Sequence, residues 1–244
     1  MKVFYKLANL FFGAFGLKLV PKKDHLLYYL HDYGEGGYES YRKLQIFHNK
    51  RKLDHVWADD QTLKIIANYV SDRLGRGARG ICRGARNGYE VQKLAELLGS
   101  KVIGTDISDT ATRFENMVEW DFHEQNDQWI GQFGFVYTNS LDQAFDPEKA
   151  LATWAEQITD DGLIFIEHTT DHGPARADEM DPFGAHPMLM PYLFFQWGRS
   201  KYQLMDIITP EHGKSERIRI WVFVLSKAPE KKDQRPKLNA GTDV

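Results

Sequence analysis

The sequence predicts an α/β protein whose sheet is mostly parallel, with helices on both faces and an antiparallel hairpin at one edge. Three observations carry that prediction. From Ala78 to Glu167, apolar runs of strand length alternate with helically spaced apolar residues, the pattern of repeated β–α units. One of those units, residues 79–108, has a glycine-bearing turn after its first strand and an acid closing its second. Beyond His168 the alternation stops, and two strand-like runs, 202–208 and 217–225, flank Glu211-His212-Gly213-Lys214 as in a hairpin.

The 244 residues suffice for one large α/β domain with modest additions. Hydrophobic residues at 42% and aromatics at 13% supply a core and exclude a disordered chain. A net charge of −3 argues against broad nucleic-acid binding, which needs a basic surface. Cys82 is the only cysteine, so no internal disulfide or cysteine-built zinc cluster can form. A buried thiol in a reducing, cytoplasmic compartment is the expectation.

Residues 1–20 are apolar and basic. Their longest apolar run, 10–17, is too short to span a bilayer. No small-x-small cleavage site precedes Pro21 and Lys22, so the segment is expected to stay on the mature protein. An amphipathic helix fits it, either packed on the domain or at a homodimer contact, or lying at the interface of the inner membrane. Residues 32–41, D-Y-G-E-G-G-Y-E-S-Y, read as a glycine-rich linker. Ser40 is placed to cap a helix over 41–56 that carries Leu44, Phe47 and the basic run Lys50-Arg51-Lys52. That run reads as a solvated face or as a lid offering cations to an anionic group. Asp59 or Asp60 starts a helix over 62–74, with Leu63, Ile66 and Val70 facing inward.

The unit at 79–108 comes next. Residues 78–83 form its first strand and Gly84 to Gly88 its turn. Val91, Leu94, Ala95 and Leu98 give the helix at 89–98 one apolar face, and Gly99 stops it. Residues 101–107 form the second strand, with Asp106 near its end. Glycines at a helix start let backbone approach a ligand, and an acid closing the next strand can accept both ribose hydroxyls. Asp106 lies 22 positions beyond Gly84, close to the about 20 of a nucleotide-binding fingerprint. The turn reads G-A-R-N-G, with Arg86 where a dinucleotide fingerprint has its second glycine, so a diphosphate is disfavoured. A ligand without phosphates, such as S-adenosylmethionine, suits it. A structural turn before a capped helix would read the same way.

Residues 117–120 form a third strand, ending in Asp121-Phe122-His123. An acid followed by an aromatic ring there can take an adenine amino group and stack on its plane, although a helix N-cap would look alike. Residues 133–137 are the fourth strand, followed by Asn139, Ser140 and Asp142. A helix over 147–158 leads to the fifth strand, 163–167. A long polar segment, 168–184, and an aromatic one, 188–197, precede the hairpin. Residues 229–244 are charged, carry proline and few apolar residues, and read as a mobile tail.

The quoted motifs, C-R-G-A-R-N-G-Y-E, G-T-D-I-S, W-D-F-H-E, Y-T-N-S-L-D and D-P-F-G-A, make residues 78–228 similar to class I S-adenosylmethionine-dependent methyltransferases. Within them the chain resembles a bacterial subgroup associated with surface-glycan or sugar modification. The resemblance implies a Rossmann-like methyltransferase fold with a seven-stranded, mostly parallel sheet and a terminal antiparallel hairpin. It divides the chain into an N-terminal helical extension and lid (1–75), a cofactor domain (76–228) and the tail (229–244). It also implies that Gly84, Ala85, Arg86 and Gly88 form the cofactor turn and that Asp106 binds the ribose beside Ile107. Asp121 and Phe122 then meet the adenine, and Asn139 and Ser140 lie beside the cofactor. Many class I enzymes carry an acid two places before the first glycine, where this chain has Cys82. Arg83 and Arg86 are candidates for the cofactor's carboxylate, which a guanidinium fork matches.

Methyl transfer is an in-line displacement, so the protein's tasks are alignment and activation of the acceptor. A hydroxyl acceptor profits from a base, and the site lies beyond the carboxyl ends of the strands. Asp142 and His168 fall there, with His168 the better base on intrinsic pKa. Glu167, His168, Asp171 and His172 also concentrate metal-type donors, and Asp181 follows. Their spacing matches no firm metal motif, so no metal ligand is assigned. A sugar or glycan hydroxyl is the expected acceptor. A small metabolite methylated at oxygen or nitrogen, with the 188–197 aromatics as an apolar wall, is one alternative; a cofactor-binding accessory subunit without activity is another.

Overall fold

A computed structural model describes residues 2–13, 15 and 26–229 of the chain. The tail expected over 229–244 lies, but for its first residue, outside the described residues. Seven strands form the main sheet: β2 (Gly80–Arg83), β3 (Val102–Asp106), β4 (Met117–Glu119), β5 (Phe133–Thr138), β6 (Ile158–Thr169), β8 (Tyr202–Ile208) and β9 (Ile220–Lys227). Their order is β4-β3-β2-β5-β6-β9-β8. The first five run parallel, and β9 pairs antiparallel with both β6 and β8. The hairpin therefore closes the sheet with its second strand inside, against β6.

Strand alternation sorts the core into two layers. Cys82, Phe135, Tyr137 and Phe165 face α3 (Asp60–Leu74) and α4 (Tyr89–Leu98), where Leu63, Ile66, Val70, Val91 and Leu94 meet them. Ile81, Val136, Ile164 and Ile166 face α5 (Pro147–Gln157) and α6 (Met190–Gly198), which contribute Leu151, Trp154, Leu193 and Phe194. The helix ends follow their signals. Asp59 caps α3 by accepting from the Thr62 amide at 2.9 Å, Asp146 caps α5 ahead of Pro147, and Gly99 ends α4 at a φ of +59°.

Four features differ from expectation. The helix expected over 41–56 is α2 (Gly37–Arg51), which starts inside the glycine-rich stretch, so Ser40 lies within it and caps nothing. β6 runs on through Thr169, because β9 pairs with it from Leu163 to Thr169. The aromatic segment is largely helical as α6 and packs on β8. A small second sheet was not foreseen: β1 (Tyr28–Leu30) pairs antiparallel with β7 (Phe183–Ala185). The N-terminal helix is α1 (Lys2–Gly13); the rest of the expected segment, apart from Phe15, lies outside the described residues.

Candidate active site

The sheet reverses its strand order between β2 and β5, and a crevice opens beyond their carboxyl ends. Gly84 leaves β2 with a φ of +68°, and Ser140 follows β5. A Cβ on Gly84 would stand 2.7 Å from the Ser140 Cβ, so only glycine lets these strand ends approach. Arg86 has a φ of +40°, rare for a residue with a side chain. That conformation aims its amide at Asp106, 3.0 Å away. Gly88, at a φ of +74°, then opens α4.

Asp106 is buried at the end of β3 and accepts from three donors: the Arg86 and Ser108 amides and the Asn49 side chain, the last at 2.7 Å. Burial raises its carboxyl above the usual range, against the pull of these donors. Beyond β4, Asp121 accepts from the His123 amide at 2.9 Å, pairs with the His123 ring at 2.6 Å and receives the Tyr38 hydroxyl. Ile107, Asp121 and Phe122 join Gly84, Arg86 and Asp106 around a cavity of about 30 Å³. Its roof is α2, which adds Tyr41, Gln45, His48 and Asn49.

A second cavity, about 440 Å³, shares Gly84 and Arg86 with the first. Ala85 and Glu90 line it from the turn and α4, and Asn139, Ser140 and Asp142 from the end of β5. Lys52, His55 and Trp57 enter from the loop after α2, and Asp171, His172, Arg176 and Asp181 from the segment after β6. Burial pushes the Asp142 carboxyl up to about 7, and its Oδ1 has no hydrogen-bond partner. Burial and then the Asp142 charge push Asp181 up to about 7. The His172 ring, 3.7 Å from Asp142, is held down to about 3 by burial and by Lys214, so it is neutral. Trp57 stands beside His172, exposed to solvent, with the Lys214 ammonium 5.0 Å from its ring centre.

No protein-family model matches the sequence, and no curated protein does. Solved structures match the fold. A 1,6-didemethyltoxoflavin-N1-methyltransferase from Burkholderia thailandensis, solved with that substrate and S-adenosylhomocysteine bound, superposes with a TM-score of 0.61 at 15% identity. The alignment covers 82% of this chain and 94% of that one. A TehB-like S-adenosylmethionine-dependent methyltransferase from Corynebacterium glutamicum gives 0.50 at 19% identity, over 78% and 98% of the two chains. The [4+2]-cyclase SpnF gives 0.54 at 10% identity, over 79% and 94%. The chain has a Rossmann-like methyltransferase fold.

Within this methyltransferase fold the crevice gathers most of the residues that the sequence singled out. Gly84, Ala85, Arg86, Asp106, Ile107, Asp121, Phe122, Asn139, Ser140 and Asp142 all line one cavity or the other. Arg83 does not. Strand alternation turns it to the opposite face of the sheet from Cys82, where it is buried over the Trp129 ring and donates to Gln157. It cannot meet the ligand of the crevice. His168 also stands back. It lies inside β6 rather than beyond it, is buried, shares a hydrogen bond with the Ala185 carbonyl at 3.0 Å and packs on His172. Burial and the neighbouring His172 hold it down to about 3.

Glu167 accepts from Tyr137 and pairs with Lys214 at 2.6 Å. Among the described residues, no three metal-type donors converge. The helix α6 lines neither cavity, so the aromatic segment forms no acceptor wall. Sequence reasoning passed over Tyr38, Asn49, Trp57 and Glu90. Only Glu90 carried a signal, as an acid on the apolar face of a helix.

Proposed function

We propose that this protein is an S-adenosylmethionine-dependent methyltransferase acting on a hydroxyl of a sugar or glycan. One observation carries the reading: a polar cavity of about 440 Å³ adjoins a glycine turn that lacks the second glycine of a dinucleotide fingerprint and ends on the buried Asp142, whose Oδ1 has no hydrogen-bond partner. The residues fit the cofactor. Asp106 stands at the strand end where ribose hydroxyls are held, Ile107 and Phe122 offer an apolar slot for adenine, and the Arg86 Nε is buried without a partner. One arrangement stands in the way, since Asn49 and Tyr38 occupy Asp106 and Asp121 and must release them.

The cofactor supplies an electrophilic methyl group on a sulfonium. The chain's own residues do the rest. Asp142, with a pKa near neutrality, takes the acceptor proton as the oxygen is methylated. The neutral His172 beside it accepts or donates a hydrogen bond to the acceptor. His168 is a positioning residue behind His172 rather than the base. Trp57 gives the apolar face of a pyranose a plate to lie on, and the surrounding Lys52, His55, Asp171 and Asp181 meet hydroxyls.

A second reading is methylation of a flat heteroaromatic metabolite, supported by the same Trp57 plate and by the substrate of the toxoflavin enzyme. A fold shared with a cyclase does not by itself fix the reaction, and an accessory subunit would bind cofactor without turnover. The test is a screen of glycans and metabolites with methyl-labelled donor, using Asp106→Asn as the cofactor-defective control. Label in a carbohydrate fraction, absent with Asp106→Asn, supports the first reading; label confined to heteroaromatics supports the second. No label with any acceptor removes the enzymatic reading. The acceptor is met on the cytoplasmic side, with α1 as a peripheral contact to the inner membrane.

A further inference from the structure

Glu90 is a buried acid to which no described side chain donates a hydrogen bond. It sits in the first turn of α4, 6% exposed, and lines the larger cavity beside the Gly84–Asn87 turn. No other described residue donates a hydrogen bond to it; its own amide is its one donor. Burial pushes its carboxyl up to about 7. An acid in a first helical turn gains from the helix dipole, but that gain needs no burial, and an exposed glutamate would have it without the desolvation cost. A carboxylate kept in such a place awaits a cation.

The neighbouring residues say which kind. Arg86, four positions earlier, lines the same cavity; its Nη1 donates to the His55 carbonyl at 3.1 Å, while its buried Nε is unpartnered. Opposite charges thus face one space from the two ends of a short turn. Below them, Cys82 ends up on the α4 side of the sheet, and the Glu90 carboxylate helps burial push its thiol upward. The strand itself supplies no charge there, and the helix brings one in.

We propose that Glu90 and Arg86 clamp an α-amino-acid end group, Glu90 holding the ammonium and Arg86 the carboxylate. This rests on the reading of the ligand as S-adenosylmethionine, whose methionine half carries that pair of charges. No covalent step is involved; the clamp fixes the direction of the methionine arm and hence of the methyl group.

Calorimetric titration of the full chain tests it with three probes. S-adenosylhomocysteine has both charges, its deaminated analogue keeps only the carboxylate, and 5′-methylthioadenosine has neither. Glu90→Gln is expected to weaken S-adenosylhomocysteine about tenfold or more, the loss of a charge-assisted contact, and to leave the other two unchanged. Arg86→Gln is expected to weaken the first two and spare the third. Unchanged affinity of Glu90→Gln for S-adenosylhomocysteine overturns the assignment. So does an equal loss for all three probes, which would mean that Glu90 only supports the helix. If the wild-type protein binds none of them, the cofactor reading fails and the clamp falls with it.

Discussion

A carboxyl held near neutrality inside a protein leaves a mark on both rate and stability, and Asp142 is the clearest case here. As the proposed base it works only when ionised, so turnover is expected to rise with pH through about 7. Asp142→Asn should lower turnover by ~10²–10⁴-fold while sparing cofactor affinity. The stability effect has the opposite sense. Burial raises the folded-state pKa from 3.8 to about 7, so the folded form binds the proton more tightly than the unfolded one. The stabilisation that this gives is full below the unfolded pKa and is lost as pH rises through about 7. Asp142→Asn removes that loss, so its melting temperature should gain on the wild type between pH 4 and pH 8. Glu90 remains in both proteins and cancels, whereas Asp181, which the Asp142 charge pushes up, is relieved by the substitution and adds to the gain in the same direction. A difference that shrinks with rising pH would show that Asp142 is not buried as an acid. The same scale shows what a sequence can disclose about single residues. The place of Asp106 and the turn at the crevice was legible because a spacing and a backbone requirement fix it, while their hold on a cofactor is part of the proposal. Arg83 was misassigned because strand register sends adjacent residues to opposite faces. His168 was misassigned because the length of β6 depends on its pairing with β9, a partner more than 50 positions away.

Among the elements, α2 decides how the crevice is reached. Asn49 satisfies Asp106, Tyr38 satisfies Asp121, and Gln45 donates to the Met180 carbonyl at 2.8 Å, so the helix spans the cavity from end to end. About 30 Å³ between these groups admits a water and no nucleoside. With the cofactor bound as proposed, α2 has to lift, because its two contacts to the acids stand where ribose and adenine would bind. Asn49→Ala removes one of them, a hydrogen bond to a charged group, and should speed association of S-adenosylhomocysteine about tenfold. Stopped-flow fluorescence measures this, and a rate no faster than wild type contradicts the closed lid. The sequence read this helix as a possible lid but started it late, because Gly34, Gly36 and Gly37 look like a linker by composition. The β1–β7 pair was missed for a different reason. Three-residue strands have too short a pattern to read, and their partners lie more than 150 positions apart.

For the molecule as a whole, exposed apolar residues occur in several places, among them α1 and the β1–β7 sheet with the segment leading into α6. In α1, Leu7, Leu10 and Phe11 share one stripe and are each at least 65% exposed. Leu27 and Tyr28 on the small sheet, and Met188, Tyr192 and Phe195 at α6, are exposed as well. The His186 amide donates to the Leu27 carbonyl at 2.8 Å, which brings the last two groups together. Among the described residues, no helix is long and apolar enough to cross a membrane. For the membrane contact proposed for α1, charge supplies the second signal. Lys2, Lys6, Lys18, Lys22 and Lys23 precede the first acid, Asp24, in a chain whose net charge is −3. Three large side chains entering a bilayer at about 1.5–3 kcal/mol each, with about 1 kcal/mol per lysine near anionic lipid, give the two signals that lasting attachment needs. The full chain should therefore sediment with phosphatidylglycerol vesicles and much less with phosphatidylcholine. Leu10→Asp with Phe11→Asp should release it from both. Lys2→Glu with Lys6→Glu should erase the preference for the anionic lipid. If the protein ignores vesicles and instead forms a dimer that Phe11→Asp dissolves, the stripe is a contact between two copies and the membrane assignment is wrong.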